Sequence, residues 1–156
     1  MESINLAGLK ISQFGYIYKD VEKAAKILEE KLDLPKFGIM ELPEDTILYR
    51  GKESKVKYKM GFSRLGEIQI ELIQLLSGEC LYSEFLNEGK EGLHHVGVYV
   101  EELEPYAEKM KEKGFESIQS GIIASQAYDY YDTEDTIGFM LELIKVKKKR
   151  TRKRPL

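Results

Sequence analysis

The stretch GLHHVGVYV, Gly92–Val100, holds both histidines of the chain, His94 and His95. It is a short β-branched run that begins at a glycine and gives way to an acidic helical pattern, so it reads as a buried strand. Successive side chains of a strand point to opposite faces. His95, Gly97 and Tyr99 are therefore expected on one face, and His94, Val96 and Val98 on the other. A lone histidine on such a strand is ordinarily a hydrogen-bonded core residue. This strand, however, has a twin.

The twin opens at Gln13. QFGYIYKDVEKAAKILEEKL (13–32) lies over HVGVYVEELEPYAEKMKEKG (95–114) without a gap, at a constant offset of about 82. Gln13 falls on His95, Gly15 on Gly97 and Ala25 on Ala107. A second pair, IQIELIQL (68–75) and FMLELIKV (139–146), places Glu71 on Glu142 at an offset of about 71, so one copy carries a longer interior loop. In each copy a polar residue opens the first strand and a glutamate interrupts the last, apolar one. A lone glutamate there often lies on a solvated face; two at matching places of a repeat single out Gln13, Glu71, His95 and Glu142.

Composition bounds the class. The 156 residues suit one domain or two small modules sharing a core, and the hydrophobic content of 42% is that of a soluble globular protein. No apolar run approaches the roughly 18 residues of a membrane span, and MESINLAGLK lacks the features of a secretory signal. A single cysteine, Cys80, allows no internal disulfide and suits the cytoplasm. KVKKKRTRKR (145–154) holds 8 of the 24 basic residues; the remainder is 16 basic against 27 acidic. An acidic body with a basic tail does not fit a nucleic-acid binder, whose basic patch lies on the fold. The tail, 147–156, reads as a solvated end.

Along the chain, Leu9–Tyr18 reads as a strand and Val21–Leu32, after Asp20 as N-cap, as an amphipathic helix. Phe37–Glu41 reads as a strand, Pro43–Asp45 as a turn, Lys55–Phe62 and Glu67–Gln74 as strands. Ser77–Gly92 is a bridge with one or two helical turns. After the Gly92–Val100 strand come a helix over Glu102–Lys113, strands over Phe115–Ile123 and Ala127–Asp132, a turn at Thr133–Thr136 and a last strand over Ile137–Val146. The expectation is an α+β fold of two βαβββ modules, 8–76 and 92–146, joined by 77–91, related by an approximate twofold axis and curving into a cleft.

Carboxylates facing a closed interior are costly unless paired or metal-bound. Two glutamates, an imidazole and an amide oxygen form an N/O ligand set for a divalent ion such as Co, Ni, Zn, Mn or Mg. Such an ion polarises a substrate carbonyl and a neighbouring carboxylate removes the proton α to it.

Paired βαβββ modules with these four positions resemble the vicinal oxygen chelate superfamily of glyoxalase I, methylmalonyl-CoA epimerase, ring-cleaving dioxygenases and bleomycin-resistance proteins. GLHHVGVYVEEL, with EFL in the bridge, looks most like the epimerase branch. The resemblance implies Gln13, Glu71, His95 and Glu142 as metal ligands, Glu142 as leading base and Glu71 as its partner, and a metal-stabilised enolate of an acyl-CoA such as methylmalonyl-CoA. It implies a small-molecule substrate, an acyl-CoA or a thiol adduct, and a homodimer. Two features depart from the epimerase pattern: Gln13 stands where histidine is usual, and the middle strand KVKYKMGF offers lysines where a second glutamate base is expected. The Gln-Glu-His-Glu order resembles instead a glyoxalase I-type lactoylglutathione lyase. A non-catalytic ligand binder is the third reading.

Overall fold

The computed structural model describes residues 5–147. After a short 3-10 turn (Leu6–Gly8) the elements are β1 (Ile11–Ile17), α1 (Val21–Leu32), β2 (Gly38–Glu41), β3 (Asp45–Tyr49), β4 (Lys52–Leu65), β5 (Ile68–Ser77), α2 (Leu81–Asn87), β6 (Gly92–Val100), α3 (Glu104–Glu112), β7 (Ser117–Ile123), β8 (Gln126–Tyr131), α4 (Glu134–Ile137) and β9 (Met140–Lys145). The tail residues 148–156 lie outside the described residues.

β1 and β6 run antiparallel as neighbours in a nine-stranded sheet of order β2-β4-β3-β7-β8-β9-β6-β1-β5, and β4 pairs again with β5 to close the ring into a barrel. The pairings repeat in the way the sequence does. β1 is parallel to β5 with Gly15 beside Glu71, and β6 is parallel to β9 with Gly97 beside Glu142. Across the seam Gln13 pairs with Gly97 and Gly15 with His95. The repeat offset exchanges these two pairs, which requires a local twofold axis between the strands.

The copies differ at their second strand. In the second half β7 is one strand alongside β8. In the first half the matching edge of β4 is shared: β2 pairs with Met60 and its neighbours, β3 with Lys52–Val56. Pro43 falls between them; lacking an N–H, it breaks the ladder. Asp45, expected in a turn, thus opens an additional strand. β3 then reaches β7 through Leu48–Ser120 and Tyr49–Gln119, joining the two halves on the far side. The expected turn at Thr133–Thr136 is a single helical turn, α4, and the last strand starts later, at Met140.

α1 forms where expected. Asp20 accepts the backbone N–H of Lys23 at 3.1 Å, and Val21, Ala24 and Ala25 turn to the sheet, the i, i+3, i+4 spacing of a buried stripe. They pack against Ile70 and Leu72 on the outer face of β5. α3 covers the outer face of the second half with Met110 against Val98, Val100 and Leu143. The barrel interior is filled from below by α2. Its Leu81 and Tyr82 meet Ile17, Tyr58, Ile73 and Tyr130, and the Leu81 N–H is taken up by the buried Gln119 side chain at 2.9 Å. Cys80 caps this helix from a fully buried position. No helix of the described residues is long and apolar enough to cross a membrane.

The turn from β5 to α2 rests on Gly78, at φ +98°, where an added Cβ would overlap the Lys55 carbonyl oxygen. Gly78→Ala is expected to cost at least about 1–3 kcal/mol, the penalty for a side chain on such a backbone. Urea denaturation measures it; a loss below about 0.5 kcal/mol, as for a neutral surface change, would show that the turn tolerates a side chain.

Candidate metal centre

Four adjacent strands, β5, β1, β6 and β9, supply the site. Gln13, Glu71, His95 and Glu142 are all buried and face the barrel interior, with His95 fully enclosed. Ligand atoms of Glu71, His95 and Glu142 lie within 4.8 Å of one another. His95 Nε2 stands 3.1 Å from Glu71 Oε2 and 3.4 Å from Glu142 Oε2. Gln13 donates through Nε2 to Gln69 Oε1 at 2.7 Å, which leaves its own carbonyl oxygen free. That oxygen and Glu142 Oε2 are buried with no hydrogen-bond partner.

Two glycines make the convergence possible. The His95 ring lies over Gly15, where any Cβ would overlap it; Gln13 lies over Gly97, whose Cβ would come within 2.9 Å of Gln13 Oε1. Each first strand thus yields space to the ligand of the other.

The site opens into a cavity of about 180 Å³ lined by Gln13, Gln69, Glu71, Glu142, Phe62, Tyr99 and the β7–β8 hairpin. It lies at the end of the barrel away from α2. Burial pushes both carboxyl groups up from the ordinary carboxylate range. For Glu142 the neighbouring Glu71 adds to the rise, and the Tyr130 hydroxyl opposes it. Burial pushes His95 down to about 3, which favours the neutral ring, and its Nε2 meets the Glu71 carboxyl at 3.1 Å.

The two carboxyls are not equivalent. Tyr130 faces Glu142 across β8–β9, whereas Phe62 faces Glu71 across β4–β5. Tyr130 also lies 3.3 Å from His95 Nε2 and 2.7 Å from the Tyr82 hydroxyl on α2. The sequence reading missed Tyr130 and Gln69. Strand alternation places Gln69 on the face of Glu71, while Tyr130 among the aromatics of β8 carries no local mark. Of the β4 lysines, Lys59 pairs with Glu22 and Lys57 with Glu41, and none lines the cavity.

His94 departs from expectation. Alternation should send it outward, but the β1–β6 ladder slips between Gly15 and Tyr16, whose partners are His95 and Leu93. His94 is the extra residue of a β-bulge, and its ring turns inward beneath His95.

A match to the family model for the glyoxalase/bleomycin resistance protein/dioxygenase superfamily spans residues 12–131, and the chain belongs to this superfamily. No curated protein matches its sequence. Among solved structures, a hypothetical protein, BH1468, from Bacillus halodurans C-125 is 21% identical with a TM-score of 0.67, over 92% of this chain and 99% of its own. Methylmalonyl-CoA epimerase from Mycobacterium tuberculosis is 14% identical with a TM-score of 0.62, over 89% of each chain. A variant of the Streptomyces coelicolor epimerase in complex with 2-nitronate-propionyl-CoA is 13% identical with a TM-score of 0.60, over 88% and 94%. These likenesses are of fold.

The donor set fits a divalent cation. One imidazole nitrogen and two carboxylates are close enough to share an ion, and the Gln13 carbonyl oxygen, buried without a partner on the same interior face, is a neutral oxygen of the kind that would complete such a set. Thiolates play no part, since Cys80 lies buried beside α2.

Two outcomes follow from this geometry. Groups whose folded pKa is raised lose their stabilising contribution as pH climbs from the ordinary carboxyl value, about 4.3, through the raised one. Glu71, raised to about 8, therefore weakens the cation-free protein between about pH 5 and 8 and Glu142 acts in the same direction, while His95 weakens it only below about 6.5. Zinc, which takes the place of those protons, should raise Tm more at pH 8 than at pH 6; equal shifts would show that the carboxyls do not compete with it. Gly15→Ala should evict the His95 ring and weaken zinc binding by about tenfold or more while the barrel stays folded. Isothermal titration measures this, and unchanged affinity would refute the packing argument.

Proposed function

We propose that the protein is a metal-dependent isomerase of the vicinal oxygen chelate type that epimerises an acyl-CoA, such as methylmalonyl-CoA, at the carbon α to the thioester. The observation that carries this reading is the pair of buried carboxyls, Glu71 and Glu142, on twofold-related strands and flanking His95 at the cavity floor. Gln13, Glu71, His95 and Glu142 would hold the cation. A divalent ion there supplies a Lewis acid that polarises the substrate carbonyl.

Inversion at a carbon needs one group to remove the proton and another to return it from the opposite face. Glu142 is assigned the first task because its Oε2 is buried without a hydrogen-bond partner, whereas Glu71 Oε2 is engaged by His95. Glu71 is assigned the second. Phe62 and Tyr99 line the cavity beside the two carboxyls. The homodimer, the cytoplasmic location and the division into modules over 8–76 and 92–146 belong to the same proposal.

One observation favours a glyoxalase I-type lyase instead. Glu71 and Glu142 are the only charged side chains lining the cavity among the described residues, so a substrate carboxylate finds no lysine or arginine there. The reacting end of a hemithioacetal is uncharged and needs none. A non-catalytic binder would use the same cavity without proton exchange.

Deuterium wash-in from solvent into methylmalonyl-CoA, set beside lactoylglutathione formation from methylglyoxal and glutathione, separates these readings. The expected result is wash-in with zinc- or cobalt-loaded protein; its absence, with lactoylglutathione formed, gives the lyase, and neither gives the binder. Glu142→Gln should lower wash-in by about two or more powers of ten, and Glu71→Gln by less. Near-normal exchange in metal-loaded Glu142→Gln protein would remove Glu142 as base.

A further inference from the structure

The inward turn of His94 has a chemical consequence. Its Nδ1 stands 3.0 Å from Nδ1 of His95 in a buried contact. Two imidazole nitrogens at that distance share one proton: one ring donates and the other accepts. The opposite edge of His95 fixes the direction. Nε2 faces the Glu71 carboxyl and the Tyr130 hydroxyl, and the same atom must offer a lone pair to a cation. With Nε2 as acceptor, the His95 proton sits on Nδ1 and points at His94.

His94 is itself held. Its ring meets Phe85 at 5.1 Å and Tyr82 at 5.4 Å, both edge-on from α2, and Tyr130 at 6.2 Å. Aromatic edges on these sides fix the plane of the ring and leave its Nδ1 aimed at His95. The bulge that turns His94 inward comes from the register slip opposite Gly15, the glycine over which the His95 ring lies. The slip and the glycine together place two imidazoles where a regular strand would place one.

We propose that His94 is the positioning residue of the metal centre: its Nδ1 accepts the Nδ1–H of His95, which locks His95 in the tautomer that presents Nε2 to a divalent cation. This rests on the metal-centre reading above. A ligating histidine commonly donates its second N–H to a carboxylate, a carbonyl or water. Here a neutral imidazole takes that place, so the orienting partner adds no negative charge to a site that already holds two carboxyls.

The chain has two histidines, so a long-range ¹H–¹⁵N spectrum of zinc-loaded wild-type protein resolves both rings. The expected pattern is His95 protonated at Nδ1 with Nε2 metal-bound, and His94 protonated at Nε2 with an unprotonated Nδ1. A proton on His94 Nδ1 overturns the proposal. The second arm is zinc affinity by chelator competition. His94→Phe keeps the ring but has no acceptor, and should bind zinc about 10–100-fold more weakly. His94→Asn, whose amide oxygen stands about where Nδ1 does, should recover most of the loss. Wild-type affinity in His94→Phe, or an Asn variant as weak as Phe, overturns the role of His94 alone. A wild-type protein that takes up no zinc, cobalt or nickel overturns the metal centre, and this proposal with it. If His94→Phe does not fold, the wild-type spectrum decides.

Discussion

The structure depends on how closely β1 and β6 approach each other across their antiparallel seam. Two glycines, Gly15 and Gly97, lie opposite His95 and Gln13, and each leaves room for the side chain of the other strand to fold flat over its backbone. Without that room the polar residues would stand upright into the apolar interior, with their hydrogen-bonding atoms dispersed. With it, an imidazole and an amide share a floor, and the outer neighbours β5 and β9 bring a carboxyl to either side. The arrangement is costly without a cation. Burial raises both carboxyls above their ordinary range, and an amide oxygen and a carboxyl oxygen find no partner. Sites that accept such a cost are where function is expected.

Symmetry provides the frame and departures from it provide the chemistry. The twofold relation equates Glu71 with Glu142 and Gln13 with His95, yet the residues behind them differ. Phe62 backs one carboxyl and Tyr130 the other. The slip at His94 has its twofold counterpart at Ser12, where the same ladder slips between Ile11 and Gln13, but an imidazole stands at one and a small hydroxyl at the other. A site with two equivalent bases would not distinguish the group that takes a proton from the one that returns it. In the proposed epimerisation these differences would separate the two roles.

Much of this was legible in the sequence, for a physical reason. Repeats survive as spacing, and spacing in strands fixes which side chains share a face. The four candidate ligands, the helix Val21–Leu32 and the strand Gly92–Val100 follow from that alone. What escaped depends on local breaks in periodicity. Alternation sends His94 outward, and only the pairing register reveals that two residues face one. Pro43 marks an interruption without showing that Asp45–Tyr49 resumes as a strand and bridges to β7. Tyr130 is one of several tyrosines in β8, and its value comes from a neighbour on a different strand, which sequence distance hides.

The bridge between the halves is also the plug of the barrel. α2 links β5 to β6, and its Leu81 and Tyr82 lie within the interior that both halves enclose. Glu84 of the same helix is held by Tyr49, at the end of the strand that reaches across to β7, and by Arg50 of the turn that follows, at 2.6 Å from its Nε. A pair of modules with a twofold seam can exchange partners between chains, since β1 of one molecule offers β6 of another the same edge. A connector that must itself be buried restrains this. It keeps the second half at a high effective concentration beside the first, and a swapped pair would have to seat the connector from one chain or the other in each barrel. The helix that links the halves is thus the element that favours assembly of the site within a single chain.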